Sequence, residues 1–247
     1  MSKILIILES EKLDYSIITN LIREYKIDSK IEITSYKTEI YTLYSRIKKE
    51  YGEDMENIDI TTVLKNSDTA FNFKKNEFSE IYLFFDYDGH HNTATDEKIE
   101  ELLRYFNDET ENGKLYINYP MVESFFHVDF SDIEKYKEKT FEIGKGYKSL
   151  NEVNLQTSQH IKILNDKEKI KLICKHNIMK TNFVVKDEYT IPEYDDYRTI
   201  DQNIIFKNQR DKFIVSKTIS ILNNFPNFII NYFGEKVYEK IKNESRI

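Results

Sequence analysis

The stretch Ile81-Tyr-Leu-Phe-Phe-Asp86-Tyr-Asp88-Gly-His-His91 sets the reading of this chain. Five large apolar residues run into two carboxylates one residue apart. An apolar run of that length, closed by acidic residues and a glycine, predicts a buried strand of a parallel sheet. In open α/β sheets the working groups stand just past the carboxyl ends of the strands, which is where Asp86 and Asp88 fall. Side chains alternate with a period of two, so both carboxylates are expected on the same side of the chain. Like charges at the rim of an apolar sheet repel each other. A divalent cation is the usual compensation, and oxygen donors suit Mg²⁺ or Mn²⁺.

The same grammar recurs upstream, where Lys3-Ile-Leu-Ile-Ile-Leu-Glu9 is an apolar run that ends in a carboxylate. Between the two runs, Asp14 is placed to cap a helix reaching about Tyr25, with Ile17, Ile18, Leu21 and Ile22 on one face. Residues 31–35 alternate like a strand, and 40–51 and 58–73 read as helices. Downstream, Thr95 caps a helix running to Phe106, 107–113 form a loop, and 115–118 a short strand. Pro120 then suits the first position of a helix that carries Glu123 and, one turn on, His127.

Residues 1–127 thus alternate strand and helix, which predicts an α/β fold: a mainly parallel sheet flanked by helices on both faces. After about residue 130 the pattern changes. Helices are expected at 131–139, 150–164, 167–180 and 211–224, with an acidic, tyrosine-rich loop over 184–198. The chain is read as a core over 1–130 and a mostly helical region over 131–247 that serves packing, partner or dimer contacts. Phe225 to Tyr238 is aromatic enough to be a docking or dimerisation surface, and equally a plain helical core.

Composition sets outer bounds. Six Gly and three Pro among 247 residues argue against long flexible linkers. A single cysteine, Cys174, excludes an intramolecular disulfide and a cysteine-based zinc cluster, and its apolar surroundings suit a small core residue. The first apolar run is too short for a signal peptide or a membrane span, and no other stretch is long enough, so a soluble cytoplasmic protein is expected. A net charge of −7 argues against a general nucleic-acid coat but leaves room for a nuclease, whose acidic site is local.

The chemistry concentrates in Glu9, the Asp86/Asp88 pair and Glu123. If the strands are parallel neighbours, these groups share one edge of the sheet, as catalytic residues and as ligands of one or two Mg²⁺ or Mn²⁺. Two such ions about 4 Å apart activate a water and stabilise the leaving oxygen in phosphodiester cleavage. Against this stands the plainer reading of each carboxylate as a solvated strand end. His90 and His91 are placed to contact a phosphate or donate a proton, or simply to form a solvated loop. Lys145, between Gly144 and Gly146, is a candidate phosphate contact. His160 and His176 lack metal-spaced partners.

A strand ending in Glu followed by a strand ending in Asp-x-Asp resembles the Toprim fold of topoisomerases, primases and the overcoming-lysogenisation-defect nucleases. The resemblance covers roughly residues 1–130. It implies that Glu9 acts as acid/base or metal ligand and that Asp86 and Asp88 bind Mg²⁺. Ser10 follows Glu9 where many members have Gly. The run Gly113-Lys-Leu-Tyr-Ile-Asn-Tyr-Pro-Met-Val-Glu-Ser124 also looks like Toprim effectors of bacterial anti-phage systems of the PARIS type. That resemblance implies a toxic nuclease of RNA or DNA, tRNA among its possible substrates, held in check by an ABC-type ATPase partner. Two other readings stand beside it. Phe85-Asp-Tyr-Asp-Gly89 looks like the nucleophile motif of haloacid-dehalogenase-like phosphatases, although His90 stands where Thr is expected and the motif lies on an internal strand. A non-catalytic, Toprim-like partner or sensor would keep the shell and leave the acidic edge unused.

Overall fold

The apolar runs pair side by side. In the computed structural model, which describes residues 3–27, 29–52, 54–68, 71–147 and 159–243, β1 (Lys3–Leu8), β2 (Lys30–Ser35) and β3 (Glu80–Asp86) lie in one sheet. They are joined by β4 (Asn107–Asp108) and β5 (Gly113–Asn118) in the order β2-β1-β3-β5-β4. All neighbours are parallel except β4, which turns back antiparallel on β5. β1 and β3 are central and almost wholly buried, hence their unbroken apolar sequences. From β1 the chain crosses to β2 on one side, then returns to place β3 on the other. That reversal opens a crevice beyond the carboxyl ends of β1 and β3, the usual place for a ligand in such sheets.

Helices α1 (Leu13–Tyr25), α2 (Ile40–Tyr51), α3 (Ile60–Ser67) and α4 (Asp96–Tyr105) connect the strands. Gly113 opens β5 at φ +110°, and a Cβ there would lie 2.8 Å from Leu83 Cδ1, so the close approach to β3 requires glycine. The C-terminal half supplies α5 (His160–Leu164), α6 (Lys167–Lys186), α7 (Tyr194–Tyr197), α8 (Gln202–Lys212), α9 (Phe225–Phe233) and α10 (Glu235–Lys242). One continuous apolar cluster runs through both halves. Phe225 stacks on Phe84 at 4.4 Å between ring centroids, and Phe228 meets the same ring edge-on at 5.4 Å. The aromatic face of α9 is therefore core against β3, not the docking surface that its composition also allowed.

Several expected elements take other forms. The helix expected over 58–73 closes at Ser67, because Asp68 turns extended. Phe71 and Phe73 instead pack edge-to-face with each other, and Phe73 packs in the same way against Phe78. Asp14 does not cap α1: Lys12 holds that position, and Asp14 sits buried in the first turn. Pro120 follows a cis peptide bond and starts no α-helix; Glu123 rides on a short 3-10 turn, Val122–Phe126. The helix expected over 131–139 is a 3-10 turn, Ile133–Tyr136, leading into β6 (Thr140–Glu142), which pairs antiparallel with β7 (Thr218–Ser220). β7 replaces the end of the helix expected over 211–224, where β-branched Thr218 and Ile219 favour extended backbone. The acidic loop of 184–198 contains the end of α6 and all of α7. Most of the helix expected over 150–164, with its start signal near Ser149, lies outside the described residues. No helix among the described residues is long and apolar enough to cross a membrane.

Candidate active site

Glu9 extends β1 by one rung. Its N–H donates to the Phe84 carbonyl at 3.0 Å, and its own carbonyl accepts from Lys37 N–H at 3.0 Å. This fixes the backbone, so the side chain reaches sideways over the end of β3, where Glu9 Oε2 accepts from the Asp86 N–H at 2.9 Å. Asp86 is the last residue of β3 and 4% exposed. In register it faces Asn118, whose Nδ2 donates to Asp86 Oδ1 at 3.4 Å. Glu123 arrives from the other side on its 3-10 turn. Glu9, Asp86 and Glu123 line one cleft of about 530 Å³, together with Ser10, Lys12, Lys37, Glu39 and others.

Burial pushes the Asp86 carboxyl well above the ordinary carboxylate range, and the charges of Glu9, Asp14 and Glu123 push it further. A hydrogen bond from the Val122 backbone N–H opposes them. Asp14 thus belongs to the site, although its sequence position suggested a cap. It is 1% exposed and accepts a hydrogen bond from the Ser10 hydroxyl. In the sequence Asp14 is marked only as an acid five residues after the strand-end Glu9, a position that equally suits a helix cap. Lys12 and Lys37 also line the cleft, Lys37 in an ion pair with Glu11, and each lies in a connection whose sequence marks nothing but polarity.

Asp88 goes elsewhere. The strand stops at Asp86, two residues short of Asp88, which takes a left-handed conformation at φ +44°, so the period-two alternation does not extend to it. It lines a separate small cavity of about 80 Å³ with His90, Lys145, Tyr147 and apolar walls that include Met121 and Phe141. Its Oδ1 is buried with no hydrogen bond among the described residues, His90 Nδ1 standing 3.5 Å away. Lys145 Nζ pairs with Glu142 at 2.7 Å on the surface. His91 stacks on Tyr41, with Nδ1 2.9 Å from the Thr93 hydroxyl and Nε2 3.5 Å from Glu39 Oε1 at the edge of the acidic cleft. The structure therefore gathers Glu9, Asp86 and Glu123, adds Asp14, and groups Asp88, His90 and Lys145 beside them.

Among the described residues, no group of three or more His, Cys, Asp or Glu side chains stands in an arrangement that holds a metal ion as it lies. The donor set nevertheless fits a hard cation in kind. It consists of carboxylates alone, and their mutual repulsion at Asp86 is what a divalent ion would neutralise. His127, one residue past the turn that bears Glu123, is a packing residue: it is 2% exposed and its Nε2 meets the Tyr147 hydroxyl at 2.6 Å. Compared with known proteins, the chain matches no family model, no curated protein and no solved structure at a significant level.

Proposed function

We propose that the chain is a Mg²⁺- or Mn²⁺-dependent phosphodiesterase acting on nucleic acid. The observation that carries this reading is the buried Asp86 crowded by Glu9, Asp14 and Glu123 beside an open cleft at the β1/β3 crevice. Such crowding is costly, and sites that hold cations or move protons are where it is retained. In this reading Glu9, Asp86 and Glu123 hold the cation, with Asp14 behind them. When bound, the cation supplies an activated water and neutralises charge on the phosphate. The chain's own residues orient it: the Asp86 N–H fixes one Glu9 oxygen, and Val122 N–H and Asn118 fix the Asp86 carboxyl. Lys12 and Lys37, at the rim of the cleft, receive backbone phosphates.

The resemblance to anti-phage effectors extends the proposal to a toxic nuclease, tRNA among its substrates, restrained by an ABC-type ATPase partner. The test is incubation of the full chain with tRNA and with plasmid DNA in Mn²⁺, beside Asp86→Asn and Glu123→Gln. Cleavage that is lost in both variants and in chelator is expected. Cleavage that survives Asp86→Asn sinks the assignment. Asp88→Ala decides whether that residue belongs to the set: loss of Mn²⁺ binding includes it, and unchanged binding confines it to the adjoining cavity.

A further inference from the structure

We propose that Asn223 and Asn224, which lead into α9 from the C-terminal half, are positioning residues for the acidic cleft. Asn118, Asn223 and Asn224 are each fully buried. The segment is held to the sheet by paired backbone bonds: Tyr119 N–H to Leu222 O at 2.8 Å and Leu222 N–H to Tyr119 O at 2.9 Å.

From there two arms reach the cleft. In the first, the Asn224 backbone N–H donates to Asn118 Oδ1 at 3.1 Å. A backbone N–H can only donate, so Asn118 must turn its oxygen toward Asn224 and its NH₂ toward Asp86. The side chain of Asn224 is itself locked, donating to the Ile117 carbonyl and accepting from Gln202 Nε2. In the second arm, Asn223 Nδ2 donates to the Val122 carbonyl at 3.2 Å and to Ser124 Oγ at 3.1 Å. Those two residues flank Glu123, and the N–H of Val122 bonds to Asp86. Asn223 Oδ1 in turn accepts from Phe225 N–H at 3.1 Å.

A fully committed buried amide has one geometry and transmits it. The two arms converge on Asp86, one through Asn118 Nδ2 and one through the Val122 N–H, and fix its position relative to Glu123. Outer partners of this kind orient ligating side chains and tune affinity.

A merely structural role makes a different forecast, and Gln209 provides the control. It too is fully buried and bonds backbone on both sides, to Ser220 O at 2.7 Å and from Ser220 N–H at 3.1 Å, but it serves β7 and not the cleft. The inference rests on the cleft's being the cation site only for its metal readout. Full-length Asn223→Ala, Asn224→Ala and Gln209→Ala are compared by Mn²⁺ calorimetry and by amide hydrogen exchange. The two Asn variants are expected to weaken Mn²⁺ binding by about tenfold or more. They are also expected to speed exchange by about tenfold at 85–88 and 119–127, whereas Gln209→Ala changes neither. If an Asn variant fails to fold, Ser124→Ala, which removes one partner of Asn223, is expected to speed exchange at 121–127 alone. Exchange in the Asn variants equal to the parent, or equal to that of Gln209→Ala, overturns the proposal. If the parent binds no Mn²⁺, the cation assignment falls and the exchange data alone decide the positioning role.

Discussion

A carboxyl buried among three others destabilises the fold that holds it. At Asp86 the cause is burial first, then Glu9, Asp14 and Glu123. Asp86→Asn keeps the shape and removes the ionisable group. In chelator it is expected to raise stability by about 1–2 kcal/mol, measured by urea unfolding, while metal-dependent cleavage is lost. His127 supplies a pH dependence of its own. Burial holds its imidazole down to about 3 in the folded chain, below the ordinary value of 6.5. Above pH 6.5 both states are neutral and nothing is lost. As pH falls from 6.5 toward 3, the unfolded chain takes up a proton that the folded chain refuses, so stability falls. At pH 4 this is on the order of 3 kcal/mol. Tm measured across that range is expected to fall less steeply for His127→Phe than for the parent.

At the scale of elements, the connections that follow β1 and β2 bring Lys12 and Lys37 to the cleft rim. If both meet phosphates, Lys12→Ala and Lys37→Ala each lower the slope of log affinity for single-stranded nucleic acid against log salt by about 1. An unchanged slope removes them from the binding surface. The strands were legible in the sequence because β1 and β3 are buried on both faces, which writes itself as unbroken apolar runs. α2 and α4 were legible through their helical period. What was not legible was set by contacts made elsewhere. The turn bearing Glu123 forms as a 3-10 piece because Pro120 O is taken by the Tyr87 N–H and Val122 O by Asn223. Asp88 left the expected face because one left-handed residue breaks a two-residue period. β6 and β7 are three residues each and stabilise only as a pair, so neither shows a pattern by itself.

On the scale of the whole molecule, the C-terminal half is joined to the sheet by an aromatic stack and a network of amides. Phe225, stacked on Phe84, is fully buried. Phe225→Ala is expected to cost about 3–5 kcal/mol, with sheet and helices still melting in one transition by far- and near-ultraviolet circular dichroism. Two separated transitions would show that the halves fold independently.

The bonds that build the acidic cleft span long stretches of chain. Glu9 and Asp86 are 77 residues apart, and Asn223 and Asn224 meet Val122 and Asn118 across 101 and 106 residues. Contacts so distant in sequence form late, after the loops between them have closed. A chain still emerging from the ribosome, or cut before residue 223, carries all four carboxylates without the scaffold that brings them together. Synthesis itself would then act as a timer on whatever chemistry the cleft performs.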